Sequence, residues 1–507
     1  MSETTKKNKT IIKNSIFLYI RMLIAVIVNL YASRLLLSTL GVEDYGVYNI
    51  IGGVVALMMF LNTAMQTSTV RFITYSIGCE PLHKIKSVVN ASIHIHFWIM
   101  VLILVLAETV GLWFINTKLN LPEGSMTAVN WVYQCTVFTS CIGILQVPFS
   151  SLVISYERMD IYAIFELLHV IIKCGVIFLL PFSKERLIAY ALLLLIVGVI
   201  FFFLYSIYCK RKINSLMIEW RLNTIVAKPM LSFALWNLYS NGTYAISRQG
   251  TNILINKFFG VAANAAGGIA TQASSMVSQF VATLQSAFNP QVIKSYSSGD
   301  VHRMRDLMIK ESEIMILLSA LAFTPLFINI DYIMRLWLKE VPDYAVEFCQ
   351  ILLLCNMIQM LTNILSVAIQ ATGKNRIFSI QIGTINIICV IGVYICFKMK
   401  CDAPFAYIVY LFAFLCKLII EIHLLNRFIP DIKVYKIMLG NLKPICILLV
   451  SYSICDLLEY CIDSDLLLLF STFLVNFIII SIFTLLFFPY YRKKLYSIYN
   501  EKIKKII

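Results

Sequence analysis

The chain has 507 residues, 60% of them hydrophobic and only 14% charged, with a mean hydropathy of +0.82. Soluble proteins carry about 25% charged residues, so this composition excludes an ordinary soluble enzyme or binding domain and requires a membrane protein. A net charge of +15 raises nucleic acid as a partner, but the basic residues collect in loops on one side of the membrane, and no basic domain exists for a duplex to sit on.

Apolar runs of about 20 residues, separated by turn residues, predict about fourteen membrane helices. The first covers 14–39 and follows the lysine-rich start "KKNKTIIK"; it is too long for a signal-peptide core and is expected to act as its own insertion signal. The next five cover 50–76, 88–115, 128–155, 161–182 and 187–209. A basic segment, Cys209 to Lys228, separates them from six more at 229–258, 265–290, 311–338, 345–372, 376–398 and 405–425. Two last helices, 441–460 and 466–488, precede a lysine-rich tail. Alternating sides from a cytoplasmic start places roughly 28 Lys and Arg inside and about 8 outside, the positive-inside bias. Both termini are then expected in the cytoplasm. The alternating ten-residue segments of an outer-membrane barrel are missing.

One punctuation occurs twice. "LGVEDYGVYNI", Leu40 to Ile50, closes the first helix, and "FGVAANAAGGI", Phe259 to Ile269, closes the seventh, with Gly41 and Gly260 offset by 219 residues. The same offset carries "HKIK" at His83 onto "HRMR" at His302. After a small slip of register, "SLVISYERMDIYAI" falls on "SVAIQATGKNRIFSI", with Arg158 near Lys374. Three echoes in one order predict an internal duplication. The expected organisation is an N-terminal six-helix lobe over 1–210, a cytoplasmic linker over 211–228, a C-terminal lobe over 229–426, two additional helices over 441–488 and a basic tail over 489–507. Such parallel halves place a substrate site between them, near the midplane.

Polar residues mark candidate lining helices. Helix 7 carries Asn237, Asn241, Tyr244, Arg248, Thr251 and Asn252 at helical steps, helix 8 carries Gln272, Ser275, Gln279 and Ser286, and helix 2 carries Asn62, Gln66 and Thr69. Interhelical hydrogen bonding is the competing reading. Arg21, Arg71 and Arg248 lie within spans, each costing about 2.5–3.5 kcal/mol on insertion scales unless offset. Arg34 lies nearer an end; it and Arg71 sit where a side chain reaches headgroups by snorkelling. Helices 1, 2, 7 and 8 contain no Asp or Glu, so a cavity lined by them is cationic. Arg21 and Arg34 are thirteen residues apart and share a cavity only if helix 1 bends. Helix 5 stacks Glu166, His169 and Lys173 on one face, as a proton or ion relay or a structural ion pair. Lys417 and Glu421 read as a structural pair. Glu108 is a further acid in a span.

No phosphate-binding glycine loop, metalloprotease motif or nucleophile elbow occurs, so the chain is expected to be neither an enzyme nor an ATPase, and no cofactor or metal is called for. The fourteen cysteines, among them Cys174, Cys355, Cys416 and Cys446, form no Cys-x-x-Cys pair and read as small buried hydrophobes.

"LLLSTLGVEDYGVYNI", Leu35 to Ile50, is similar to the first outer turn of bacterial polysaccharide-export proteins. With its two six-helix halves and two added helices, the chain resembles the polysaccharide flippases of the multidrug/oligosaccharidyl-lipid/polysaccharide exporter superfamily. That group also holds O-antigen and lipid II flippases and the multidrug and toxic compound extrusion (MATE) transporters. The resemblance implies an all-α integral membrane protein with two MATE-like lobes that open alternately to the two sides. Its cargo would be an oligosaccharide on undecaprenyl diphosphate, met by Arg21, Arg71 and Arg248. From the residue pattern itself Arg34 is a fourth candidate for the cationic cavity, with Asn62, Gln66, Asn241, Tyr244, Asn252, Gln272 and Gln279 as its polar lining. Helices 13 and 14, the latter including Leu466 to Phe488, would form a lipid groove. The resemblance also implies a bacterial inner-membrane location, membrane lipids, a coupling proton or sodium ion, and a neighbouring glycan polymerase. Guanidinium suits a diphosphate because its planar fork donates two hydrogen bonds. Tyr239, Tyr244 and Trp236 offer faces to sugar rings. Drug or organic-cation antiport is the rival, and a cavity for cations calls for acids.

Overall fold

The structure, a computed structural model, describes residues 3–41, 44, 48, 51, 65–78, 82–118, 126–212, 223–338, 341–488 and 492. Nearly all of them are helical, and no strand occurs among them. In chain order the main helices are α1 (Glu3–Leu40), α2 (65–78), α3 (Leu82–Leu106), α4 (Leu112–Lys118), α5 (Met126–Ser155), α6 (Met159–Ile177), α7 (Arg186–Lys212) and α8 (Thr224–Ser297). They continue with α9 (Val301–Ile328), α10 (Ile330–Trp337), α11 (Ala345–Ala371), α12 (Asn375–Lys398), α13 (Phe405–Phe428), α14 (Val434–Leu457) and α15 (Asp465–Phe487). Eleven helices among the described residues are long and apolar enough to cross a membrane. Of the other three expected spans, the second falls partly on residues 52–64, outside the described residues, and the seventh and eighth are the two arms of α8.

The two punctuation glycines share a positive φ. Gly41, after α1, has φ 84°, and Gly260, the one break inside α8, has φ 86° with ψ −177°, a region essentially restricted to glycine. The third echo repeats in the same way. Glu157 and Gly373 have φ 61° and 78°, and Arg158 (φ −85°, ψ 57°) and Lys374 (φ −78°, ψ 46°) then open α6 and α12.

Two compact units form. The first comprises Met1–Asn241 with Ser286–Asp300, and the second comprises Gly242–Gln285 with Val301–Ile507. In the first unit α5 packs on α3 and α7, and α1 packs on α6. Ile73, Val89, Leu152, Tyr205 and Met230 form one fully buried cluster there. Between α3 and α4, Ala107–Gly111 forms a π turn. Such a bulge frees backbone carbonyls, and the Tyr133 hydroxyl donates to the carbonyl of Ala107 (2.8 Å) while Gln134 donates to Glu108 Oε2 (3.0 Å). Glu108 is thereby placed.

The last turns of α8 complete this unit. A Cβ on Gly78 of α2 would lie 1.7 Å from Ser297 Oγ and 3.0 Å from the carbonyl of Lys294, so glycine is what lets the two helices approach. The Glu157 carboxylate accepts from the Gln291 amide and lies 3.6 Å from Lys294 Nζ, while its carbonyl accepts from Asn14 Nδ2 at 2.9 Å.

In the second unit α11 packs on α13 and α9, around Phe348, Val393 and Tyr407. The additional helices belong to this unit. α15 buries Leu468, Thr472, Asn476 and Ile480 at a spacing of four and turns Leu467, Phe470, Leu474 and Phe477 outward. Its polar members dock it: Asn329 Nδ2 donates to Thr472 Oγ1 (2.9 Å), Ser451 Oγ to Asn476 Oδ1 (2.5 Å), and Asn476 Nδ2 to the carbonyls of Ala320 and Leu321 (3.1 Å each). Interhelical bonds of this kind contribute about 0.6–2 kcal/mol each in membranes. The described cysteines are free; Cys174 and Cys355 are buried as expected, but Cys416 and Cys446 lie on the outward surfaces of their helices. Apolar periodicity places a residue in a span without distinguishing lipid-facing from core positions.

Candidate functional site

The two arms of α8 line one cavity of about 220 Å³ in the second unit. Tyr244, Arg248, Thr251 and Asn252 come from the first arm, and Thr271, Ser274, Ser275 and Ser278 from the second, so the chain folds back on itself at Gly260. α11 adds Cys355, Asn356 and Gln359; α13 adds Tyr407, Tyr410 and Phe414. The wall is held by its own hydrogen bonds. Ser247 and Thr251 share the Tyr410 hydroxyl (3.1 and 3.3 Å), and Asn356 Nδ2 donates to the carbonyl of Ser274 (2.9 Å). Asn252 Nδ2 donates to Gln249 at 3.0 Å. A second cavity of about 140 Å³ shares Ser278, Asn356 and Gln359 with the first and extends to Gln285 and Asn363.

Arg248 is the charged member of this wall, and no Asp or Glu lines either cavity among the described residues. Its side chain is exposed rather than packed. Lys417 of α13 stands behind the wall, 5.4 Å from the Tyr244 ring centre and 4.7 Å from that of Phe414. The cavity thus offers a guanidinium, hydroxyls, amides and phenolic rings. That set suits an anion, or a ligand rich in hydroxyl groups.

The other arginines belong to the first unit. Arg21 lies over the Tyr162 ring at 5.5 Å and within electrostatic reach of Glu166 of α6. Glu166 accepts from the Tyr205 hydroxyl at 3.2 Å and also feels Lys173, two helical turns on. His169 instead packs on Phe201, with ring centres 4.8 Å apart, so the polar face of α6 is not one continuous chain. The acid that helices 1, 2, 7 and 8 lack is supplied to Arg21 by α6. Arg71 is 7% exposed and set among Phe72, Tyr75 and Phe233 at 4.5, 5.0 and 5.4 Å; it is packed in an aromatic box instead of snorkelling. Arg34 is exposed near the end of α1, thirteen residues from Arg21 on the same continuous helix.

Of the expected lining residues, Tyr244, Arg248 and Asn252 meet in one wall. Asn241, Gln272 and Gln279 are exposed and are not part of it, Gln66 is half-buried on α2, and Asn62 lies outside the described residues. The cavity also uses Asn356 and Gln359 of α11, the start of a polar band that continues through Asn363 and Ser366 at steps of three and four, and Tyr407 and Tyr410 of α13. No cluster of metal-ligating side chains occurs among the described residues.

The family model named MatE matches residues 240–397, a stretch that contains the cavity-lining part of the first arm of α8, the whole second arm, part of the first cavity's lining and all of the second's. Solved structures agree over most of the chain. A crystal structure of a MATE point mutant superposes with a TM-score of 0.70 at 14% identity, covering 85% of this chain and 97% of that one. An outward-facing multidrug resistance MATE family transporter of the MOP superfamily gives 0.70 at 14%, covering 84% and 97%. A MOP superfamily transporter from Pyrococcus furiosus Vc1, described as having a binding pocket of reverse polarity that suggests a different function, gives 0.65 at 15%, covering 85% and 97%. No curated protein sequence matches. The fold is that of the MATE transporters.

Proposed function

We propose that this chain is a membrane transporter working by alternating access, and that its cargo is an anionic glycolipid of the polyprenyl-diphosphate-oligosaccharide class. The transporter reading is supported by the MatE match and by the fold. The cargo reading rests on one observation: among the described residues the second unit's cavity carries a guanidinium and many hydroxyl and amide groups and no carboxylate. An organic cation in such a cavity would meet like charge, whereas a diphosphate finds a bidentate donor and its sugars find aromatic faces and hydrogen bonds. The P. furiosus neighbour, with its reversed pocket polarity, supports the idea that this fold serves more than one cargo sign.

Drug or organic-cation export is the second reading, and the comparisons taken by themselves favour it, since a multidrug resistance transporter is among the structures of this fold. Deletion and complementation in the source cell separate the two. Loss of surface glycan, accumulation of polyprenol-linked intermediates and unchanged drug resistance support the glycolipid; loss of drug resistance with normal glycan would assign the drug reading. In either case the expected orientation is a bacterial inner-membrane protein with both termini in the cytoplasm. A single cysteine introduced near Lys6 should resist an impermeant thiol reagent in intact cells, and labelling there would reverse the topology.

A further inference from the structure

Lys417 and Glu421 stand four residues apart on α13, a spacing that ordinarily closes an ion pair on one helix face. Both are buried, 8% and 2% exposed, yet different neighbours hold them. Lys417 Nζ rests against the rings of Tyr244 and Phe414 at 5.4 and 4.7 Å. Glu421 Oε1 accepts from Ser366 Oγ of α11 at 2.8 Å, and Oε2 is buried with no hydrogen-bond partner among the described residues. The structural pair expected from the spacing is therefore not closed by a salt bridge.

A buried ion pair persists when its geometry is close and every lone pair is satisfied. This one meets neither condition, so an ionised Glu421 is poorly supported. The groups that face the two are few. α11 presents Ser366 and Cys355, α12 presents Cys389 and α8 presents Tyr244; at neutral pH none of these carries a charge in its unperturbed form. Lys417 is the charged group whose field Glu421 feels, with nothing comparable from the turn Pro430–Ile432 or from α14.

We propose that Glu421 is a proton-binding site of the transporter and that Lys417 is the positioning residue that fixes the charge against which it titrates. A proton added at Oε2 gives the bare oxygen a hydrogen while Ser366 continues to donate to Oε1. The pair then passes from net neutral to a single positive charge. Because Tyr244 and Phe414, which hold Lys417, are also wall residues beside Arg248, that charge is felt in the cavity. Protonation strengthens the binding of an anion there and weakens that of a cation, so the site stands whichever cargo is carried.

The test is infrared titration of the full chain in lipid, following the protonated-carboxyl band from acidic to alkaline buffer without any cargo. A component of that band should vanish in Glu421→Gln and remain in Glu166→Gln. In Lys417→Met, removal of the cation should move its midpoint upward by about one pH unit, a tenfold change in proton affinity. Ser366→Ala, the milder variant, should move it upward as well. An unchanged band in Glu421→Gln overturns the proposal. An unmoved midpoint in both Lys417→Met and Ser366→Ala overturns it equally. Neither result bears on the glycolipid reading, which is decided by export.

Discussion

Arg248 and Arg21 looked alike in the sequence, as lone cations in apolar spans, and their surroundings make them different. Arg248 is exposed on a cavity wall that holds no acid. Losing a hydrogen bond to a charged ligand group costs about 1.5–3 kcal/mol, so Arg248→Ala is expected to weaken cargo binding by roughly 10- to 100-fold at normal membrane levels. Arg248→Lys should recover only part of this, since it keeps the charge and loses the fork. Export assays at matched expression check both variants. Arg21, by contrast, shares its site with Glu166, Tyr162 and Tyr205. Arg21→Ala should lower the melting temperature in detergent, by the equivalent of about 1–3 kcal/mol, because it leaves a buried carboxylate with a weaker partner. Glu166→Gln added to it should restore much of the loss. A double mutant no more stable than Arg21→Ala alone would deny the coupling between them.

At the scale of the element, α8 depends on one residue. Gly260 sits in a backbone region that costs any residue with a Cβ about 1–3 kcal/mol, and an added Cβ there would meet no neighbour within 4 Å. Gly260→Ala should therefore destabilise through backbone strain alone, with a lower melting temperature and no crowding for a second mutation to relieve. This turn was legible in advance. Gly41 and Gly260 share a positive φ that a residue with a Cβ rarely adopts, and the repeated glycine signals that requirement. The Glu157 and Gly373 echo was legible for the same reason. The cavity wall was only half legible. A helix with a polar band, such as α8, announces itself, and α11 carries the same signal in Asn356, Gln359, Asn363 and Ser366 at steps of three and four; Tyr407 and Tyr410 do not, because an amphipathic ring in an apolar span is as suited to packing as to lining. The company of Arg21 was hidden too, because Glu166 lies on a helix 145 positions away in the chain, and no local spacing joins residues so far apart.

For the whole molecule, composition settled the solvent and the helical class, since a chain this apolar has to satisfy its backbone within helices or a closed barrel. The halves expected from the repeat and the compact units are drawn differently. The expected lobes meet at the linker 211–228, while the first compact unit continues to Asn241 and takes in Ser286–Asp300. The expected repeat follows sequence echoes, and compactness follows where side chains find partners. The polar docking of α14 and α15 shows the second principle at work, because Ser312 of α9 donates to Asn441 of α14, Ser451 of α14 to Asn476 of α15, and Asn476 in turn to Ala320 of α9.

The allegiance of residues 286–300 bears on how the polypeptide could be divided into separately translated fragments. A gene cut at the linker would yield 1–228 and 229–507, and the shorter product would lack Gln291, Lys294 and Ser297, which meet Glu157 and Gly78 in the intact chain. Expressed alone, it would expose a helix-wide furrow and a carboxylate without its donors, and rapid proteolysis is the expected fate. Supplied in trans, the longer fragment should protect it by lending that stretch of α8 together with 229–241, which carries Met230 of the buried cluster, so that fragment lifetimes in pulse-chase depend on co-expression. An isolated 1–228 product that persists as long as the intact protein would show that those fifteen residues are dispensable to the fold they enter.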